Sequence, residues 1–304
     1  MKKRILITAV AVLCFIAAVG IMLYPAVSNY INTKYQSEIH TAYVEQIGQV
    51  ENQELLEAKE AAIRYNEWLV PVSDTDKLFT NESLEQASEG YEKQLLVGGS
   101  SIMAYVEIPS IDVYLPVYHG TDTSVLDMGV GHLMGSSLPI GGASTHAVLT
   151  AHSGMAKQRL FTDLPQVAEG DVFYIHVLTD TLAYQVYHTE PVYPHETELL
   201  GITEGEDLCT LVTCVPIGVN TQRLLVQGKR IPYEAAQKVE EEIAVNEEPK
   251  ASNWQDQYML GIWLGLWTAL LAAAVYLIVL LIRRKRTGTK RRKGGRYVRK
   301  RWPK

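Results

Sequence analysis

The stretch Leu208-Cys-Thr-Leu-Val-Thr-Cys214 reads as a β-strand and carries two of the three cysteines of this 304-residue chain. Apolar and β-branched residues fill it, a composition that favours extended backbone. Successive side chains of a strand point to opposite faces, so a spacing of five places Cys209 and Cys214 on opposite faces. Two thiols in that arrangement are unsuited to form a disulfide with each other.

Runs of similar composition lie before and after this stretch, from residue 101 onward. Turn signals such as Pro109-Ser110 and Gly141-Gly142 separate them. Many short strands with such punctuation predict a barrel or a sandwich, and so a mainly β fold class, for residues 101–232. The predicted strands are residues 103–108, 113–118, 147–151, 172–177, 182–187, 208–214 and 223–227.

The segments on either side of this β domain differ from it in composition. Residues 28–100 begin with a predicted helix that reaches about residue 69, because Tyr35, Ile39 and Tyr43 recur at helical spacing. Pro71 ends it, and residues 71–100 are predicted to be irregular. Residues 233–258 are acidic and poor in large apolar side chains, which is typical of a linker.

Two uncharged apolar runs, residues 5–24 and 259–282, lie near the ends of the chain. Each is close to the roughly 20 residues that a helix needs to cross a membrane. Basic clusters on their outer flanks predict that both termini are cytoplasmic and that the middle, which holds all 34 carboxylates, is extracellular. For residues 1–27 a cleaved signal peptide is the alternative to a membrane anchor.

The basic tail, residues 283–304, holds 13 Lys and Arg residues and no acid. It directly follows an apolar run, so attraction to anionic lipid explains it better than nucleic-acid binding. We therefore expect the membrane, and no nucleic acid, as a partner of this end of the chain.

Three residues at predicted strand ends could together perform acyl transfer: His152, Cys214 and Arg223. A thiol becomes a good nucleophile beside a base or a positive charge, and histidine is the usual proton carrier. A guanidinium can stabilise the oxyanion that acyl transfer generates. Taken singly, such a histidine is more often structural and such an arginine is a surface cation. The combination indicates a reactive thiol on an extracellular domain that has no disulfide to form.

These residues also carry a family resemblance. Thr210-Leu-Val-Thr-Cys214 matches the Thr-Leu-x-Thr-Cys signature of sortases, Arg223 follows nine residues later, and Thr150-Ala-His-Ser-Gly154 places His152 62 residues before the cysteine. The chain resembles this family over roughly residues 101–231. Segments similar to the pilin-assembling class C members are Tyr118-His-Gly-Thr121, Gly129-Val-Gly-His-Leu133, Ser137-Leu-Pro-Ile-Gly141, Leu160-Phe-Thr-Asp-Leu164 and Gly170-Asp-Val-Phe-Tyr-Ile-His176.

The resemblance implies a closed β-barrel of about eight strands, with an N-terminal helical segment and two transmembrane helices. It implies a cysteine transpeptidase in which Cys214 attacks a Leu-Pro-x-Thr-Gly-like sorting signal and His152 transfers protons, while Arg223 stabilises the oxyanion or holds the peptide backbone. In class C the acyl group passes to a lysine amine of another pilin subunit. The partners would be pilin or surface proteins that bear a C-terminal sorting signal.

Other functions remain open on the sequence. A housekeeping sortase that anchors surface proteins to peptidoglycan would differ only in the accepted amine. A hydrolytic cysteine protease is disfavoured because no papain or caspase signature is present. A non-enzymatic membrane scaffold would not need the thiol. No metal or cofactor is implied, and the histidines expected to be structural are His119, His132, His176 and His188.

The expected lid over the cysteine is the point at which the chain departs from the class C pattern. Class C members usually carry an Asp-Pro-aromatic motif before the barrel, and this chain has no Asp-Pro. The matching region reads Asp74-Thr-Asp76-Lys-Leu-Phe79. A lid anchored by Asp76 and Phe79 is therefore a hypothesis.

Overall fold

Eight short strands close on themselves to form a barrel in the computed structural model of the chain. The structure describes residues 2–69, 90–155, 157–246, 260–271, 273 and 276. These fall into two units, Met1–Leu23 with Lys250–Lys304, and Tyr24–Pro249, which holds the barrel. The strands are β1 (Ala104–Ile108), β2 (Val113–His119), β3 (Val130–His132), β4 (Thr145–Thr150), β5 (Val172–Val177), β6 (Asp180–Val192), β7 (Asp207–Val215) and β8 (Gln222–Ile231).

The order of strands around the barrel is β1-β2-β3-β4-β7-β8-β6-β5, and β5 pairs with β1 to close it. The pairs β2–β3 and β4–β7 are parallel, and the other pairs are antiparallel. Closure leaves no free sheet edge. The predicted eight-stranded barrel is therefore confirmed, and β4, β7 and β8 are consecutive neighbours in it.

Two strands differ from the sequence prediction. β3 was not predicted, because it has only three residues and one of them is Gly131, a residue type that weakens strands. The structure requires glycine there, since an added Cβ would lie 2.3 Å from the Gly120 carbonyl oxygen. β6 continues to Val192, beyond the predicted residues 182–187. The predicted strand ended early because a register shift between Val186 and His188 interrupts the alternation of side chains.

The α-helices among the described residues are α1 (Lys2–Gln49), α2 (Asn52–Leu69), the single turn α3 (Thr123–Leu126), α4 (Tyr233–Asn246) and α5 (Leu260–Leu271). The predicted helix over residues 28–69 is present, with a break between Gln49 and Asn52. The first half of the predicted linker is helical instead, because Ala236 of α4 is buried with Val172 and Tyr174 against the barrel.

The helices α1 and α2 pack on the barrel through apolar side chains. Tyr43 and Ile47 of α1 form one cluster with Leu55 of α2 and Tyr105 of β1. Residues Ala62, Tyr65 and Leu69 of α2 belong to the core of the barrel itself. The buried Asn66 side chain donates a hydrogen bond to the Leu138 carbonyl at 3.1 Å and accepts one from the Leu138 N–H at 2.7 Å. Both helices thus pack as integral parts of the barrel domain.

Among the described residues, one helix is long and apolar enough to cross a membrane, and it covers Phe15–Gln49 within α1. Two such helices were predicted. The second predicted span, residues 259–282, is described chiefly over the 12-residue apolar helix α5, and most of its remainder and the basic tail lie outside the described residues.

Candidate active site

Cys214 lies near the end of β7 and is the direct cross-strand partner of Arg223 on β8. Cβ atoms of such partners lie about 5 Å apart. Alternation puts both side chains on the outer face of the barrel, because Val212 and Leu225, two residues away on each strand, pack together in an outer cluster. Both residues are half-buried. The outer face of the barrel therefore carries a thiol and a guanidinium at paired positions of two neighbouring strands.

Cys209 occupies the opposite face of β7, as the strand alternation predicts. It is fully buried in the barrel core beside Leu211, and both Cys209 and Cys214 are free thiols. Burial raises the pKa of the Cys209 thiol well above its usual value. Cys209 is consequently an unreactive core residue, and the reactive candidate is Cys214.

His152 lies two residues beyond the end of β4, the strand that pairs with β7. Both of its chain neighbours are tied to β7. The Thr213 hydroxyl donates to the Ala151 carbonyl at 2.8 Å, and the Ser153 hydroxyl donates to the Cys214 carbonyl at 2.5 Å. The backbone of His152 is thereby held beside Cys214, and the three predicted residues come together on adjacent strand ends.

The segment that carries His152, residues 151–163, is called the histidine loop below; residue 156 lies outside the described residues. Two hydrogen bonds fold it back on itself, from the Phe161 N–H to the His152 carbonyl at 3.1 Å and from the Gly154 N–H to the Thr162 hydroxyl at 2.9 Å. Gly154 has φ +70°, and a Cβ added there would lie 2.4 Å from Cγ2 of Ile217 in the β7–β8 connection. The two loops beside Cys214 therefore contact each other closely at a glycine.

Replacing Gly154 by alanine is expected to destabilise the protein more than the same change at Gly218. Gly218 has φ +80° with no atom within 4 Å of an added Cβ, so it isolates the cost of the backbone conformation, about 1–2 kcal/mol. Gly154→Ala adds a steric overlap with Ile217 to that cost. In thermal unfolding, the Tm decrease of Gly154→Ala should be at least about twice that of Gly218→Ala. Each kcal/mol of lost stability lowers Tm by about 2–4 °C in a protein of this size.

The Ile217→Ala background tests whether the overlap is the cause. There, the difference between Gly154→Ala and Gly218→Ala should disappear. Equal Tm decreases for the two glycine variants in the wild-type background would show that the two loops do not contact each other as described.

Arg223 is positioned by the β7–β8 connection. Its Nη1 donates to the carbonyls of Asn220 at 3.1 Å and Gln222 at 3.0 Å. Among the described residues, its Nε and Nη2 groups have no hydrogen-bond partner. The guanidinium is thus fixed through one nitrogen and retains donors that a bound peptide carbonyl or an oxyanion could accept.

A second histidine, His146, supports the outer face of β7. Its Nδ1–H donates to the Gly201 carbonyl at 2.7 Å, and its Nε2 accepts from the Thr210 hydroxyl at 2.6 Å. Burial lowers the pKa of His146, so the ring is neutral at pH 7. It links the β6–β7 connection to the cysteine strand. Sequence reasoning assigned no role to His146, Thr210, Thr213 or Ser153, although three of them lie within the quoted motifs.

The histidines expected to be structural contact residues other than the three predicted site residues. His132 is fully buried; its Nε2–H donates to the Ser137 carbonyl and its Nδ1 accepts from the Tyr91 hydroxyl, each at 2.8 Å. Burial lowers the pKa of His132 to about 4. His176 contacts Glu107 at 2.7 Å, His188 contacts Glu190 at 3.1 Å, and His119 packs against the Tyr91 ring. The lid hypothesis with Asp76 and Phe79 falls on residues 70–89, which lie outside the described residues.

The barrel region of this chain is similar to known sortases. Residues 106–231 match the family model of the sortase domain. Sortase C of Streptococcus pneumoniae, whose structure bears on pilin substrate specificity, is 41% identical with a TM-score of 0.57, over 64% of this chain and 97% of that chain. Sortase C of Clostridium perfringens, solved with the C-terminal cell wall sorting motif, is 40% identical with a TM-score of 0.52, over 63% and 97%. Sortase D of Bacillus subtilis is 26% identical over 155 residues, 50% of this chain and 74% of that protein.

Proposed function

The chain belongs to the sortase family of transpeptidases, and we propose that it polymerises pilin subunits. The substrate would be a pilin that carries a Leu-Pro-x-Thr-Gly-like sorting signal, and the acceptor would be a lysine amine of another subunit. The observation that carries this proposal is the 41% identity to the Streptococcus pneumoniae sortase C over 97% of that chain, since that enzyme is described with pilin specificity. The sorting motif in the Clostridium perfringens structure supports the choice of substrate.

In the first step of the proposed reaction, the Cys214 thiolate attacks the carbonyl between the Thr and Gly of the signal. A tetrahedral oxyanion forms, and its collapse breaks the C–N bond. His152 gives its proton to the departing glycine amine, which leaves a thioester on Cys214. The placement of His152 just beyond the end of β4, the strand that pairs with β7, supports this role.

In the second step the lysine amine of the next pilin attacks the thioester. His152, now neutral, accepts the proton of that amine, and the Cys214 thiolate departs. The product is an isopeptide bond between two subunits, and both enzyme groups return to their starting states. No cofactor is needed, because the energy of the cleaved peptide bond is conserved in the thioester.

Arg223 is proposed to stabilise the oxyanion in both steps. Arg223→Ala should lower kcat/KM by about 10²–10³-fold, the usual loss when one oxyanion donor is removed. Arg223→Lys should restore only part of the lost kcat/KM, because an ammonium lacks the planar array of N–H donors that a guanidinium offers. Lys229→Ala is the matched control on the same face of β8: Lys229 pairs with Glu206 at 2.6 Å on the surface, and its loss should leave kcat/KM unchanged. Equal activity of Arg223→Ala and Lys229→Ala would remove Arg223 from the mechanism.

The apolar helix covering Phe15–Gln49 supports a place in the cell membrane for this enzyme. We propose residues 1–27 as an anchor or signal segment, 28–100 as the helical segment with a lid, and 101–232 as the extracellular catalytic barrel. Residues 233–258 would return the chain to a second span at 259–282, and the basic tail at 283–304 would face the cytoplasmic leaflet. Both termini would then be cytoplasmic.

The test of the proposed function is co-expression of the full-length chain with a candidate pilin in a Gram-positive host. A pilin ladder that withstands boiling in detergent, and is absent with Cys214→Ala, is the expected result. Single subunits fixed to the cell wall would instead identify a housekeeping sortase, which uses the same thiol and a peptidoglycan amine. Pilin unchanged by either enzyme would contradict both functions for that pair.

A further inference from the structure

The helix α1 contacts the histidine loop directly through polar side chains. The Ser28 hydroxyl donates to the Lys157 carbonyl at 3.0 Å, and the Asn32 side-chain amide donates to the same oxygen. The two donors are four residues apart, so they lie on one face of the helix, one turn above the other. A single loop carbonyl, five residues beyond His152, therefore accepts two hydrogen bonds from α1.

The same face of α1 also contacts the connection between α3 and β3. Gln36, one turn further on, donates from Nε2 to the Met128 carbonyl at 3.2 Å. The histidine loop reaches this connection as well: Gln158 donates to the Asp127 carbonyl at 2.6 Å, and Lys157 pairs with the Asp127 carboxylate at 3.4 Å. Ser28, Asn32 and Gln36 form a polar stripe with a period of four, which contacts both the far half of the histidine loop and the α3–β3 connection that this half contacts.

The near half of the loop is held by different contacts. Ser153 donates to the Cys214 carbonyl, and Gly154 lies against Ile217. His152 thus has β7 on one side, and on the other a loop whose return path is fixed by α1. Because a loop without regular secondary structure has low local stability, the orientation of its catalytic side chain depends on such tethers.

We propose that the polar stripe of α1 is a positioning device for His152, and that Asn32 is its principal residue. This inference rests on the role of His152 in the proposed function. Ser28 and Asn32 touch no reacting atom; they act by fixing the Lys157 carbonyl and, with it, the direction of the loop. Loss of these donors leaves Cys214, Arg223 and the barrel in place, so proton transfer is impaired while peptide binding is retained.

The polar stripe begins close to the apolar run at the start of α1. Ser28 follows the apolar run of residues 5–24 by four residues. Two side chains in the first turns of α1 beyond this run, Ser28 and Asn32, therefore act as positioning residues for the proton carrier His152.

The test uses the full-length enzyme in detergent micelles, with a Leu-Pro-x-Thr-Gly peptide and a free amine as substrates. Asn32→Asp is nearly isosteric and replaces the donor by a carboxylate that repels the Lys157 carbonyl. It should lower kcat about tenfold, since small misplacement of a catalytic group has effects of this size or larger. KM should change less than about twofold, the signature of an interaction that matters only in the transition state. Ser28→Ala should show a smaller decrease of kcat in the same direction.

Two controls make the result specific. Lys34→Ala changes an exposed residue of the same helix and should retain the wild-type kcat and Tm. Asn32→Asp should retain the wild-type Tm, and its pH–rate profile should be displaced on the limb that His152→Ala removes.

A wild-type kcat for Asn32→Asp, in a preparation where His152→Ala is inactive, would overturn the positioning role without contradicting the proposed function. A fully active His152→Ala would overturn both. An equal loss in Lys34→Ala, or a Tm decrease in Asn32→Asp that accompanies the loss, would show only helix destabilisation and so also overturn the inference.

Discussion

Cys214→Ala is expected to abolish transpeptidation, whereas Cys209→Ala leaves it intact. Both cysteines are free thiols of the same strand, yet Cys214 is half-buried on the outer face beside Arg223 and Cys209 is enclosed in the core. Removal of a covalent nucleophile from an assembled site costs about 10⁴–10⁶-fold in kcat. The measurement is cleavage of a Leu-Pro-x-Thr-Gly peptide by each purified variant, with mass spectrometry of the enzyme to detect the thioester.

Cys209→Ala is the matched control because it removes the same atom from the opposite face of β7. Its expected effect is on stability, on the order of 1 kcal/mol for a small cavity in the core. The acyl-enzyme adduct should be present in Cys209→Ala and missing in Cys214→Ala. An adduct that persists in Cys214→Ala, or disappears in Cys209→Ala, would show that the nucleophile has been assigned to the wrong face of the strand.

The placement of Cys209 and Cys214 on opposite faces of β7 could be predicted from the sequence, because it depends on a local rule. Alternation within residues 208–214 needs no knowledge of the neighbouring strands. The helix over residues 28–69 was accessible for the same reason, since its apolar spacing is contained in the segment. β3 was not, because a three-residue strand containing Gly131 has little propensity of its own and exists through its pairing with β2 and β4.

The contacts that hold His152 beside Cys214 could not have been derived from the sequence. They depend on the parallel register of β4 against β7, in which Thr150 lies opposite Val212. Those strands are about 60 residues apart in the chain, and a parallel register is set by the whole barrel rather than by either strand. The roles of Thr213 and Ser153 become visible only after that register is known. The polar stripe of α1 is a similar case, because its partner carbonyl is 125 residues from Asn32.

The other large effect is expected for His152→Ala. Loss of a general acid–base group typically costs about 10²–10⁴-fold in kcat. The loss should be chemical rather than structural, because the tethers of the loop come from Thr213, Ser153 and the polar stripe, none of which uses the His152 side chain. The variant should therefore keep the wild-type Tm and still bind the sorting peptide.

The pH dependence separates a proton-transfer role from simple damage to the site. In the wild type, kcat should need one group protonated to expel the glycine amine and the same group neutral to accept the lysine amine; His152→Ala should lose the corresponding limb of the pH–rate profile. His188→Ala is the control, since that half-buried histidine pairs, among the described residues, with Glu169 and Glu190. It should leave both rate and profile unchanged. If His152→Ala lowered the rate and kept the wild-type pH profile, another group would be carrying the proton, and the assignment built on the end of β4 would have to move to that group.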